Sequence, residues 1–240
     1  MISTHELVES FRDAAVEKWE SDIQKLEALD RRQPSPSGGI LCIGSSSIRR
    51  WDMIERDLSP LRPIQRGYGG ARFSDLAIFV DRLVRPHDYR ALVVFVANDI
   101  SGSERDIPAQ QVDQLFRYVV DRAQFHHPGR PVFLIEITPT SKRYEHWSRI
   151  REVNARMREF ALTTPDVYFI PTASHYLTAD GKPRDELFVK DLLHLNEAGY
   201  QLWGRIIRGR ISSVLQQRMD ESIQSASADS AQPDHPTAAE

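Results

Sequence analysis

Apolar residues recur at three- and four-residue steps near the start of the chain, at Leu7, Phe11, Ala15, Trp19, Ile23, Leu26 and Leu29. That spacing lines them along one stripe and predicts an amphipathic helix over residues 4–30. Ser3 followed by Glu6 reads as a capping box at its entrance. The segment Gln33-Pro34-Ser35-Pro36-Ser37-Gly38-Gly39 breaks any helix. Beyond it come short apolar runs: Ile40 to Ile43, Pro63 to Gln65, Ala91 to Val96, Val132 to Ile137 and Val167 to Ile170. Helical periodicity returns between them, over Asp75 to Leu83, Ala109 to Phe125 and Ser148 to Leu162, and Asn196 caps a last helix through Leu215.

Strands alternating with helices imply a parallel sheet covered on both faces. With right-handed crossovers and a strand order such as 2-1-3-4-5, a ligand crevice opens beyond the carboxyl ends of the strands. A chain of 240 residues suits one domain of this class. That domain is expected over residues 1–216. After Gln216 the composition shifts to Ser, Ala, Asp, Gln and Pro, which predicts a disordered tail over 217–240.

Net charge is −3 and the arginines are scattered, so no basic field draws in nucleic acid. Cys42 is the only cysteine. This excludes an internal disulfide and any multi-cysteine metal site, and no other cluster has metal-ligand spacing such as His-Glu-x-x-His. The polar start, Ser3-Thr4-His5-Glu6, shows neither a basic n-region nor an apolar h-region, and no apolar stretch of about 20 residues offers a membrane span. The expected address is cytoplasmic; the sequence does not set an oligomeric state.

The blocks that carry chemistry each fall just past a predicted strand. Gly44-Ser45-Ser46-Ser47 leaves the first run and enters a helix expected to include Ile48 and Trp51; a serine there gains backbone N–H groups suited to negative charge. The same loop also fits helix capping or a phosphate cradle. Arg66-Gly67-Tyr68-Gly69-Gly70-Ala71 follows the second run, where glycine permits positive φ and close backbone approach. Val96-Ala97-Asn98-Asp99 ends the third and places Asn98 at the crevice. Asp191-Leu192-Leu193-His194, at a helix entrance, can let a carboxylate hold one imidazole nitrogen while the other faces a substrate.

In order and spacing these blocks resemble the SGNH/GDSL hydrolases, and most closely a small-esterase branch with Gly-Ser-Ser-Ser as its first block. The likeness extends from about residue 15 to about residue 210. It implies a flavodoxin-like three-layer α/β/α sandwich with a five-stranded parallel sheet, and hydrolysis of small-molecule esters without metal or cofactor. Gly44-Ser45-Ser46 matches the family's Gly-Asp-Ser, which makes Ser46 the nucleophile and Asp191 and His194 its partners. Ser46, Gly70 and Asn98 become the oxyanion hole. Two positions depart from the pattern: Ser45 replaces an aspartate, and Val96 stands where the family has a glycine, putting a branched side chain beside Asn98. Arg143 and Trp147, after the fourth run, are candidates for a substrate-binding wall. The expected function is a serine hydrolase for short-chain or acetyl esters of small polar alcohols or sugars. The competing readings are a catalytically silent binding module and a flavodoxin-type phosphate or flavin binder.

Overall fold

A computed structural model describes residues 2–230, the side chains of 226–230 excepted. Five strands, β1 (Gly39–Gly44), β2 (Pro63–Gly67), β3 (Tyr89–Phe95), β4 (Val132–Ile135) and β5 (Val167–Ile170), form one sheet in the order β2-β1-β3-β4-β5. Every neighbouring pair is parallel. Helices α1 (Thr4–Glu9), α2 (Arg12–Arg32), α5 (Phe73–Val84), α6 (Ala109–His126) and α7 (Trp147–Thr163) are on one side. On the other lie α3 (Ser46–Arg49), α4 (Ile54–Leu58) and α8 (Glu197–Ser230). The result is the three-layer α/β/α sandwich that the alternating pattern implied.

The sheet divides the interior into two cores, and strand alternation decides which side chain joins which. In β1, Leu41 and Ile43 enter the larger core beneath α5 and α6, while Ile40 and Cys42 enter the smaller one beneath α8. Both faces are covered, so β1, β4 and the second half of β3 read as unbroken apolar runs, while the edge strand β2 carries Gln65 and Arg66. Burial pushes the Cys42 thiol up to about 12 and leaves it un-ionised.

Three local departures from the expected elements have physical causes. The helix expected over 4–30 is two: Ser10 turns its hydroxyl onto the Leu7 carbonyl (2.6 Å) and the chain restarts at Arg12. The capping box at Ser3 and Glu6 is present, with the Ser3 N–H donating to Glu6 at 2.9 Å. After Gly44 the helix lasts only four residues, leaving Trp51 outside it; its indole donates to Asp57 (2.8 Å) and stacks on Tyr200 of α8.

The third departure is a correction. Residues 217–230, expected to be disordered, continue α8 as far as Ser230. Propagating a helix that is already packed is far easier than nucleating one, and this stretch has neither Gly nor Pro. Side-chain bonds from Gln216 to Asp220 and from Gln217 to Glu221, both 2.9 Å, support it. Arg218 anchors it by reaching Asp166 and the Gly129 carbonyl. Residues 231–240 of the expected tail lie outside the described residues.

Candidate active site

The parallel strands deliver their carboxyl ends to one edge of the sheet, and the loops that follow β1 to β4 carry Ser46, Gly70, Asn98 and Arg143. The chain order reverses between the adjacent strands β1 and β3, so a crevice opens there. Ser46, Asn98, Thr138, Arg143 and His194 line it, with about 500 Å³ of empty space that includes its open mouth.

Two glycines are forced by close approach. Gly44 ends β1 at φ +138°, and a β-carbon there would lie 1.9 Å from the Phe95 carbonyl oxygen. No other residue lets β1 and β3 stay paired up to the point where the chain turns into Ser46. Gly69, at φ +36°, lies beneath Trp19 of α2, with 1.9 Å between a would-be β-carbon and the indole. Trp19 also meets Tyr68 edge-on at 5.5 Å, and Asp30 of α2 pairs with the buried Arg66. Thus α2 roofs the second block from both ends.

Ser46, His194 and Asp191 meet in one relay. The Ser46 Oγ is 3.0 Å from His194 Nε2, and His194 Nδ1 is 2.7 Å from Asp191 Oδ2. A turn, not a helix face, makes this geometry. Leu192 takes φ +53°, a conformation uncommon for a side chain of this kind, and Asp191 Oδ1 accepts the N–H groups of Leu193 (3.0 Å) and His194 (2.9 Å). The carboxylate therefore folds the turn with one oxygen and holds the imidazole with the other. Burial acts to raise its pKa, but the His194 and Leu193 N–H groups and the imidazole outweigh it and hold it at about 2. Asn196 then caps α8, accepting the Gly199 N–H at 3.0 Å. Tyr200 donates to the Ser47 carbonyl (2.9 Å), tying α8 to the serine loop.

Asn98 donates one amide N–H to the Ala71 carbonyl (2.8 Å) and accepts from Arg143 at 2.6 Å. A β-carbon on Gly70 would lie 3.8 Å from its Nδ2, so Gly70 borders the site through Asn98. Among the described residues, neither the Ser46 nor the Gly70 N–H has a hydrogen-bond partner. Val96 points away into the larger core and leaves the crevice alone.

The expected substrate wall is only partly there. Arg143 lines the crevice, but its guanidinium turns inward to the Ala97 carbonyl and Asn98. Trp147 packs against the larger core and is not among the lining residues. Missed by sequence reasoning was Asp99, fully buried beside Asn98, whose two oxygens accept the Phe73 N–H at 3.0 and 3.1 Å. Burial pushes its carboxyl up to about 7. The signal available was a carboxylate closing an apolar strand, which needs a buried donor. Also missed were Thr138 and Thr140, whose buried hydroxyls have no partner among the described residues. Among the described residues no cluster of three or more His, Cys, Asp or Glu could hold a metal ion, and no helix is long and apolar enough to cross a membrane.

Known structures share this architecture. A protein from Streptococcus pneumonia described as a platelet activating factor superposes with a TM-score of 0.71 at 20% identity, covering 85% of this chain and 97% of that one. A GDSL-like lipase from Bacteroides thetaiotaomicron VPI-5482 gives 0.69 at 16% identity, covering 80% and 98%. A carbohydrate esterase family 3 protein from Talaromyces cellulolyticus gives 0.61 at 15%, covering 75% and 98%. At such identities the likeness is one of fold. No curated protein matches the sequence. The family model for GDSL-like lipases and acylhydrolases, however, matches residues 43–202, well over half of the chain and all of the relay, and the protein is an ester hydrolase belonging to the GDSL-like lipase/acylhydrolase family.

Proposed function

We propose that the chain is a serine hydrolase that forms an acyl-enzyme on Ser46 and acts on short-chain or acetyl esters of small polar alcohols or sugars. The observation that carries this reading is the continuous relay from Ser46 through His194 to Asp191 at the crevice. In this reading His194 Nε2 takes the hydroxyl proton as Ser46 Oγ attacks the ester carbonyl, while Asp191 steadies the imidazolium. The Ser46 and Gly70 N–H groups and the second amide N–H of Asn98 receive the oxyanion. Collapse expels the alcohol, which takes its proton from His194. Water, deprotonated by the same imidazole, then releases the acid and restores Ser46.

The lining mixes hydroxyls from Ser47, Thr138 and Thr140 with Phe95 and Ile137, which favours a short acyl group and a polar alcohol. The fold shared with a carbohydrate esterase is in keeping with sugar esters. A phosphate or flavin reading finds little support, because the helix after Gly44 spans four residues and offers a weak dipole. A silent binding module leaves the intact relay without a purpose.

The test is a fluorophosphonate label followed by peptide mapping, run beside p-nitrophenyl esters of increasing chain length and acetylated sugars. The adduct is expected on Ser46, with acetate and butyrate turned over faster than decanoate. An adduct on Ser45 or Ser47 refutes the assignment, and preference for decanoate refutes the substrate class.

A further inference from the structure

Arg143 is the one arginine lining the crevice, and it has no carboxylate within ion-pair distance among the described residues. Its donors go instead to two neutral acceptors on the third block, the Ala97 carbonyl and the Asn98 side-chain oxygen, the latter at 2.6 Å. A guanidinium only donates. An Asn98 amide facing it must therefore present oxygen, and the flipped amide, with nitrogen against nitrogen, is excluded. The flip would also set Oδ1 against the Ala71 carbonyl oxygen, which now accepts the Asn98 N–H at 2.8 Å. One Nδ2 hydrogen is thereby committed to Ala71, and the other is left for the crevice.

We propose, resting on the serine hydrolase reading above, that Arg143 is a positioning residue for the oxyanion hole. It fixes which face of the Asn98 amide meets the substrate and polarises the remaining N–H toward the developing negative charge. Two further observations support this role. The guanidinium is largely buried, and burial lowers its pKa. Holding the cation out of water is costly in the resting enzyme; Asp106 and Asp99 offset part of that cost from beyond ion-pair distance, and an anion forming nearby offsets more, which is the condition for lowering a barrier. Second, the Arg143 turn is tied to the relay itself, since the Lys142 N–H donates to the Leu192 carbonyl (3.2 Å) and the Arg143 N–H to that of Thr140 (3.0 Å). The guanidinium and the Asp191–His194 turn thus keep a common register. In this chain, with Val96 and Ala97 ahead of Asn98, the orientation of the amide is set from outside its own strand.

The experiment is a double-mutant cycle with p-nitrophenyl acetate, measuring kcat and KM for wild type, Asn98→Ala, Arg143→Gln and the double variant. If Arg143 acts through Asn98, Arg143→Gln lowers kcat by about ten- to a hundredfold with KM nearly unchanged, and costs no more than about twofold once Asn98 is already alanine. Arg143→Lys keeps the charge but not the two-pronged grip, and should recover part of the loss. Multiplicative losses in the double variant, or a loss confined to KM, overturn the proposal; the latter would make Arg143 a substrate ligand. Should Arg143→Gln melt below the assay temperature, Arg143→Lys carries the same cycle with Asn98→Ala. Fluorophosphonate labelling of the wild type separates the two readings. Absence of a Ser46 adduct fails the serine mechanism itself, whereas a normal adduct with multiplicative losses fails the Arg143 role alone.

Discussion

Asp191 uses one oxygen to fold its own turn and the other to hold an imidazole. That double duty sets what substitutions should do. His194→Gln should be nearly inactive, close to the millionfold loss of a triad serine or histidine. Asp191→Asn should lose up to about ten-thousandfold, because the amide can still accept the Leu193 and His194 N–H groups but presents a donor to Nδ1. Steady-state rates on p-nitrophenyl acetate read both. With Asp191 held at about 2, the carboxylate stays charged through mild acid, so substituting Asn for Asp191 should not remove an ionisation from the kcat/KM profile between about pH 4 and 8. Loss of an acid ionisation from the profile of Asp191→Asn would contradict this. Asp99 behaves in the opposite sense. Its folded-state pKa is raised from 3.8 to about 7, so the folded protein binds the proton more tightly than the unfolded chain. Its contribution to stability is then most favourable below about pH 4, declines as the pH rises to 7, and stays at its lowest above that, by at most about 1.4 kcal/mol per unit. Denaturant titrations from pH 5 to 8 should show a steeper decline for wild type than for Asp99→Asn; equal slopes would mean that Asp99 is ionised throughout.

At the scale of elements, the end of β3 works as a clamp. Asn98 and Asp99, side by side in the chain, grip the Ala71 carbonyl and the Phe73 N–H at the entrance to α5, and so hold the loop that carries Gly70. From above, α2 presses Trp19 onto Gly69. Trp19 is buried and its indole N–H has no partner among the described residues, so truncating it removes packing without breaking a hydrogen bond. Trp19→Ala should cost about 3 kcal/mol or somewhat more, and should lower kcat as the Gly69–Gly70 loop loosens. Unfolding midpoints and turnover at a temperature where both proteins are folded test the two parts separately; unchanged kcat would confine α2 to a stabilising role. None of these clamps is visible to periodicity. Each joins residues tens of positions apart, and their chemistry emerges only once the sheet has set β1, β2 and β3 side by side.

Across the whole molecule, what the sequence made legible was whatever is written in local repeats. The strands begin and end within a few residues of the apolar runs, whereas the order β2-β1-β3-β4-β5 is selected by the family resemblance, since right-handed crossovers set the hand of each connection and not the order of the strands. Ser46, Asp191 and His194 were legible because each lies in a compact block at a strand end or helix entrance and because those blocks, in their order, resemble the family's; position alone does not choose Ser46 over Ser45 and Ser47. Long-range contacts, which no local pattern announces, decide the rest. Arg218 fastens an otherwise polar segment to Asp166 and Gly129 and carries α8 onward. The inward turn of Arg143 depends on acceptors 45 and 46 positions upstream.

Cys42, wholly enclosed in the smaller core, has a practical meaning for anyone wishing to watch this enzyme work. The sole thiol of the chain lies where no maleimide can reach it, so a second cysteine placed on the surface would be modified alone, without first removing the native one. Val189 is an inviting position. It is 40% exposed, and its backbone N–H donates to the His194 carbonyl at 2.9 Å. A fluorophore or nitroxide attached there would ride on the histidine turn and report, in real time, each arrival and departure at the crevice.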